Sequence, residues 1–319
     1  MVLSDQVDAD GTRRRALLRR DASGIVTYHF ESLDFEGLVH AIYTRLGGVS
    51  RGAFATLNVG NTVGDDEAAV AENHTRIYAH LGLSRERTCW PHQVHGNRVA
   101  VVTAGDAGQV MPNTDGLVTT TPGVALLLRF ADCQPILLYD PAHHALGLAH
   151  AGWRGVVQGI ARRTVEAMVE AFGTRPQDLV VGLGPAIGPC CYTVGHKVAA
   201  AMGYSLPDWN QVMTLQDEDA WSFDLTAANA QQLVAEGVLN IELSNLCTAC
   251  HQNEFYSHRG DNGRTGRFAV VAYLDPRTKE EEVRAKTRTP SELEPEEVAS
   301  FTLHPPGFPG FGEFVEGDR

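Results

Sequence analysis

His95, Cys133 and His150 are the residues whose types could together hold a metal ion. His95 stands in HQVHG (His92–Gly96), Cys133 in a tight polar turn between two apolar runs, and His150 at the close of LGLAHAG. Taken singly, each is ordinary, since a loop histidine is usually solvated or hydrogen-bonded. Taken together, two imidazoles and a thiolate make three ligands. Three protein ligands leave a fourth tetrahedral position open, which marks catalytic rather than structural zinc. Zinc there would bring the pKa of a bound water to about 7. The same ligand types suit copper, but a blue-copper site wants a methionine as weak axial ligand. The next methionine, Met168, lies inside a helical pattern. A multicopper oxidase needs several His-x-His pairs, and HQVH is His-x-x-His. Zinc is expected and copper is disfavoured.

The elements that must position these residues are strands. Between Thr114 and Gly155, apolar runs of strand length (Val124–Leu128, Ile136–Tyr139, Leu146–Ala149) alternate with short polar turns. Upstream, IVTYHF has strand composition, and a strand followed by a Gly-rich loop spans His40–Gly60. Asp65 and Asp66 open a helix through Leu81, with Val70, Asn73, Ile77 and Leu81 on one face. HQVHGNRVAVVT reads as a loop entering a strand. Beyond His150, Ala151–Gly155 turns into a single helix with Val157, Ile160, Ala161, Thr164, Val165, Met168 and Phe172 inward. A buried strand opens Leu179–Gly195, a helix covers roughly 224–236, and Phe268–Leu274 is the last strand.

Two arginines sit where anions bind. Arg45 precedes the Gly47–Gly48 loop, where it suits either a structural ion pair or a two-point clamp on phosphate or carboxylate. Arg154 lies in the first turn of a helix, a place the helix dipole does not favour for a cation. It is open to a role toward a negative ligand or to none. Cys247 and Cys250 form a C-x-x-C pair, but a structural zinc needs two more ligands, and the adjacent Cys190 and Cys191 have the wrong spacing for a standard knuckle. Semi-buried thiols are the expected reading.

A net charge of −13 argues against nucleic acid as main partner, because phosphate-backbone binding needs a basic face. It leaves room for small anions in a local pocket. No apolar run approaches the roughly 18 residues needed to span a membrane, and the N-terminus lacks an apolar leader segment. A cytoplasmic chain with reduced cysteines is expected. Residues 1–22, with RRRALLRR, read as a flexible tail, 23–275 as one catalytic domain, and 276–319, charged and then Gly/Pro/Phe-rich, as a second flexible tail. Nothing indicates a partner protein.

Seven motifs then run in order: TRLGGVSRGAFATLNVG, HQVHGNRV, TDGLVT, ADCQPILLYD, LAHAGWRG, GPAIGPCCYTVG and CT…FYSHRGDNGRTGR. Together they resemble the YfiH-like family, also called laccase-domain or polyphenol oxidase and more recently purine nucleoside phosphorylase. The resemblance implies a single-domain α/β (α+β) fold, a layered α-β-β-α sandwich with mixed sheets, similar to the catalytic domain of a deamidating toxin with a Cys–His pair. It implies zinc on His95, Cys133 and His150. It implies phosphorolysis of adenosine, inosine, guanosine and methylthioadenosine, together with adenosine deamination. Phosphorolysis calls for a phosphate cradle, for which Arg45, Asn58 and Arg154 supply donors. Proton transfer falls to Asp132 or His92, and the two remain open. The H-x-E motif of cytidine-type zinc deaminases is absent. The alternatives are a peptidoglycan-editing or amidase-type hydrolase with Cys133 as nucleophile, and a copper-dependent polyphenol oxidase. One departure is His74, where relatives often carry arginine.

Overall fold

The computed structural model describes residues 17–276, with the backbone of two short strands, Gln6–Val7 and Arg13–Arg14, ahead of them. Most of the expected 1–22 tail, and residues 277–319 of the second tail, lie outside the described residues. Leu18–Ala22 differs from expectation. It pairs antiparallel with Ile25–His29 across a turn through Ser23 and Gly24, so the first sheet begins five residues earlier than the predicted domain.

Two mixed sheets carry the architecture. The first has seven strands in the order Leu18–Ala22, Ile25–His29, Leu38–Tyr43, Phe268–Leu274, Ala125–Phe130, Thr88–Pro91, Val110–Met111. Its first five strands pair antiparallel and its last three in parallel. The second has six, in the order Asn240–Leu243, Val180–Leu183, Gln134–Asp140, Ala145–Ala151, Gly116–Thr119, Val99–Val101. Its two edge pairings are parallel and its inner three antiparallel.

Side-chain alternation assigns the faces, because neighbours along a strand point to opposite sides. From Ala125–Phe130, Leu126, Leu128 and Phe130 join Leu137, Tyr139, Leu146 and Leu148 of the second sheet in one core between the sheets. The intervening Ala125 and Leu127 face outward with Ala41, Tyr43, Ala269 and Val271, under Ile77 of the Glu67–Leu81 helix. Ile136, Leu138, Val118 and Val181 face the other way, onto Ile160, Val165, Met168 and Leu233 of two helices, Ile160–Phe172 and Leu225–Ala235. The layers are therefore helix, sheet, sheet, helix, as expected. Strands buried on both faces read as continuous apolar runs, which is why Gln134–Asp140 and Phe268–Leu274 stand out in the sequence.

The helix expected after Ala151 is two helices. Trp153–Gln158 ends on Gly159, which takes a left-handed φ of +75° and redirects the chain into Ile160–Phe172. A small subdomain escaped the sequence reading. The helix His196–Ser205 and a three-stranded sheet of Thr193–Val194, Ala220–Phe223 and Met213–Asp217 share a core of Ile187, Met202, Val212 and Phe223.

The two sheets communicate by crossings at one end. Ala125–Phe130 lies in the first sheet and Gln134–Asp140 in the second, so residues 131–133 carry the chain across, with Asp132 at φ +85°. Thr88–Pro91 and Val99–Val101 are likewise in different sheets, so HQVHG is a second crossing.

Candidate metal centre and its cavity

Register brings the three residues together. Gln134 pairs with Ala151 and Pro135 with His150, so Cys133 lies opposite Gly152, one step beyond the ladder. His95 arrives on the neighbouring crossing. One ligand atom from each of His95, Cys133 and His150 lies within 4.8 Å of the others, and the two imidazole centroids are 5.0 Å apart, edge to face. Gly152 leaves the needed room. A Cβ there would stand 2.8 Å from Cys133 Sγ and 3.3 Å from His95 Cδ2.

A residue that the sequence reading passed over fixes this arrangement. Asp115, fully buried at the start of the Gly116–Thr119 strand, accepts N–H bonds from Val94 (3.1 Å), His95 (3.0 Å) and Gly96 (2.8 Å). That cradle holds His95 at φ +58°, a left-handed conformation uncommon outside glycine. Asp115 Oδ1 also meets His150 Nδ1 at 2.9 Å. The carboxylate can only accept, so His150 donates from Nδ1, which leaves Nε2 as the ring nitrogen available to a metal. A carboxylate behind a histidine is the usual support of a metal-binding imidazole. TDGLVT held Asp115 in plain view, but an aspartate before a strand carries no chemical signal alone.

The electrostatics follow from this contact. Burial works against the Cys133 thiolate, but the facing His150 and His95 imidazoles more than offset it and hold the thiol below its ordinary range. Burial likewise opposes a charged His150, and the Cys133 sulfur and Asp115 carboxylate reverse that and raise it. Burial would raise Asp115, but its bond to His150 and the Gly96 and Val94 amides keep it low. Two imidazoles with a readily ionised thiol fit a zinc-type ligand set.

The trio opens into a cavity of about 500 Å³ lined also by Asp132, Trp153, Ile187, Tyr192, Leu225 and His258. Four arginines line it: Arg129, Arg154, Arg259 and Arg267. None of the four forms an ion pair with a carboxylate among the described residues. Arg129 is tied to Asn61 Oδ1 (2.6 Å) and Arg267 to the Gly266 carbonyl (2.8 Å), while Arg154 stacks on Trp153 at 4.4 Å. In a chain of net charge −13, four guanidinium groups around one cavity with no carboxylate ion pair among the described residues favour an anion.

Of the residues singled out from sequence, Arg154 and Asp132 line this cavity. Asp132 is braced on both oxygens, Oδ1 by Thr248 Oγ1 and Oδ2 by the Arg259 amide, each at 2.6 Å. Arg45 and Asn58 do not line it. Arg45 donates to the carbonyls of Ala55 (2.7 Å) and Gln252 (2.8 Å) and stacks on Tyr256. Asn58 is fully buried, takes N–H bonds from Gly60 and Arg267 and donates to Asp65. Both hold loops in place. His92 is exposed and outside the cavity, its backbone bridging Met111 and Thr114. His74 lies under a different groove, its Nε2 toward the Val59 carbonyl. Arg129, Arg259, Arg267 and His258 were missed, since each is scattered in sequence and gains meaning only from the cavity.

Facing mixed sheets with a histidine–cysteine cluster at their common end define a mixed α/β protein with a candidate metal centre. The chain belongs to the family described as multi-copper polyphenol oxidoreductase laccase, whose model matches residues 39–275, and the YfiH-like resemblance is thereby confirmed. It is 42% identical over 257 residues to "Purine nucleoside phosphorylase YlmD" of Geobacillus stearothermophilus, covering 76% of this chain and 92% of that one. It is 42% identical over 239 residues to a purine nucleoside phosphorylase of Deinococcus radiodurans, covering 75% and 90%. The crystal structure of YlmD from Geobacillus stearothermophilus superposes with a TM-score of 0.77 at 38% identity, covering 82% of this chain and 99% of that one. The hypothetical protein YfiH of Bacillus licheniformis gives 0.76 at 34%, covering 81% and 99%. Among the described residues no helix is long and apolar enough to cross a membrane.

Proposed function

We propose that this protein is a zinc-dependent purine nucleoside phosphorylase acting on adenosine and related nucleosides, with adenosine deamination as a second activity, in the cytoplasm. The observation that carries the reading is the meeting of His95, Cys133 and His150 at the wall of an arginine-lined cavity. The names of the relatives supply the substrate class. His95, Cys133 and His150 would hold the zinc, which when bound acts as a Lewis acid.

The rest is work for the chain's own side chains. Arg154, Arg129, Arg259 and Arg267 bind and orient phosphate, the task first expected of Arg45 and Asn58. Bound phosphate faces the positive charge that develops on the sugar as the glycosidic bond breaks. Tyr192, Ile187, Leu225 and Trp153 provide an apolar wall for a purine. Asp132 remains the carboxylate within reach of the substrate, and His258 is the cavity imidazole in place of His92.

The lowered Cys133 thiol beside His150 also favours a second reading, a hydrolase with Cys133 as nucleophile. Incubation with adenosine, with and without phosphate, separates them. Adenine with ribose 1-phosphate, formed only when phosphate is present, supports phosphorolysis, and inosine reports deamination. No conversion of adenosine under either condition sinks the proposal.

A further inference from the structure

The second sulfur cluster lies outside the cavity. Cys190 and Cys191 come from the Gly/Pro loop after the Val180–Leu183 strand, and Cys247 and Cys250 from the loop after Asn240–Leu243. These two strands pair in parallel, and the pairing continues as a bridge between Ala186 and Cys247, which sets the loops side by side. The four sulfurs lie within 4.8 Å of one another. Cys250 Sγ is 3.5 Å from Cys190 Sγ and 3.4 Å from Cys191 Sγ. These are not disulfide distances, which are about 2.05 Å. A zinc–sulfur bond of about 2.3 Å gives a regular tetrahedron an edge of about 3.8 Å, close to what is seen. The loop geometry serves the cluster as well. The Gly188 amide donates to Cys247 Sγ at 3.2 Å, the kind of contact that supports a thiolate. A Cβ on Gly188 would sit 3.4 Å from Cys190 Sγ and 3.3 Å from Cys247 Cβ, so this glycine packs directly against the cluster.

We propose that Cys190, Cys191, Cys247 and Cys250 form a four-thiolate structural site for one zinc ion, separate from the His95–Cys133–His150 centre. Four protein ligands close the tetrahedron, so the site is structural rather than catalytic. Soft thiolates select zinc over magnesium or calcium. The two further ligands that the Cys247–Cys250 pair lacks in its own loop come from another loop, brought beside it by strand pairing, so the site is not a standard knuckle. The site staples one wall of the cavity. Ile187 and Tyr192 lie on the first loop, and Thr248, between the other two ligands, donates to Asp132.

The test uses the full chain carrying Cys133→Ser, which removes a ligand of the first centre and leaves this cluster intact. Purified under reductant, stripped and titrated with Co²⁺, it is expected to bind one equivalent. Binding should bring a sulfur-to-cobalt charge-transfer band, lost when Cys190→Ser and Cys250→Ser are added. Absence of stoichiometric binding, or a band unchanged by the added substitutions, overturns the proposal. A second measurement needs no variant: alkylation of the zinc-loaded wild-type chain, mapped by mass spectrometry. All four cysteines are expected to be protected as a set and exposed together by chelator. Free alkylation of Cys190 and Cys250 in the loaded protein, or their recovery as a disulfide, contradicts the site.

Discussion

His150 donates from Nδ1 to Asp115 Oδ1 at 2.9 Å, while the same carboxylate gathers the amides on either side of His95. One buried side chain therefore orients one candidate ligand and sets the backbone of another. Asp115→Asn keeps the size but puts an amide group where N–H donors converge. Zinc affinity of the His95–Cys133–His150 centre is expected to fall about 10- to 100-fold, the usual result of losing such support. Competition with a chromophoric chelator reads this directly. An unchanged affinity would show that Asp115 does not position the ligands.

Gly152 tests the centre by size alone. Its φ of −86° and ψ of 177° suit alanine, so backbone strain does not enter. The added methyl would stand 2.8 Å from Cys133 Sγ. Gly152→Ala is expected to cost about 1–3 kcal/mol in stability through overpacking and to weaken metal binding at least tenfold, with the circular dichroism spectrum retained. Full metal affinity in this variant would mean that Cys133 is not a ligand.

Arg154 is exposed and carries no structural hydrogen bond from its guanidinium among those seen, unlike Arg45. If phosphate lies on it, Arg154→Ala removes a charge-assisted contact worth about 1.5–3 kcal/mol. The KM for phosphate should rise roughly 10- to 100-fold in initial-rate kinetics, with the KM for nucleoside less affected. Arg154→Lys should restore only part of it, since an ammonium lacks the planar fork. The opposite pattern, a nucleoside effect alone, would move the phosphate elsewhere in the cavity.

Acid sensitivity follows from His40. Its Nε2 accepts the Phe30 amide at 2.9 Å, so the ring is held neutral. Burial, with the neighbouring His29 and Arg20 adding to it, pushes it from 6.5 to about 3. Protons then bind the unfolded chain first. Stability is full above pH 6.5 and is lost as pH falls from there toward about 3, by about 2 kcal/mol at pH 5 from this residue. His40→Gln keeps an acceptor without a titrating ring. Its melting temperature should fall less between pH 7 and pH 5 than that of wild type, by several degrees. Parallel curves would assign the acid loss to other groups, such as His29 and His74, which burial also lowers.

The strands were legible because doubly buried runs such as Gln134–Asp140 have few polar interruptions, and His95, Cys133 and His150 drew notice because each ends or joins such a run. The break at Gly159 was hidden by an apolar face that continues across it. Arg45 looked like an anion clamp because guanidinium donors suit phosphate. The cis Ala55–Thr56 turn and Gln252 instead offer it carbonyls, which no local pattern announces. The joining of the two cysteine pairs, and the gathering of Arg129, Arg259 and Arg267 around Arg154, were invisible for a common reason: each grouping is made by the fold, not by spacing.

The most direct test of the central claim is turnover of adenosine in saturating phosphate by wild type and Cys133→Ala, each analysed for bound metal. The account predicts adenine and ribose 1-phosphate from the wild-type chain. It predicts a folded Cys133→Ala protein with one metal ion fewer and with that turnover lost. Undiminished phosphorolysis by Cys133→Ala, or by a wild-type chain whose His95–Cys133–His150 centre is shown to be metal-free, would contradict it.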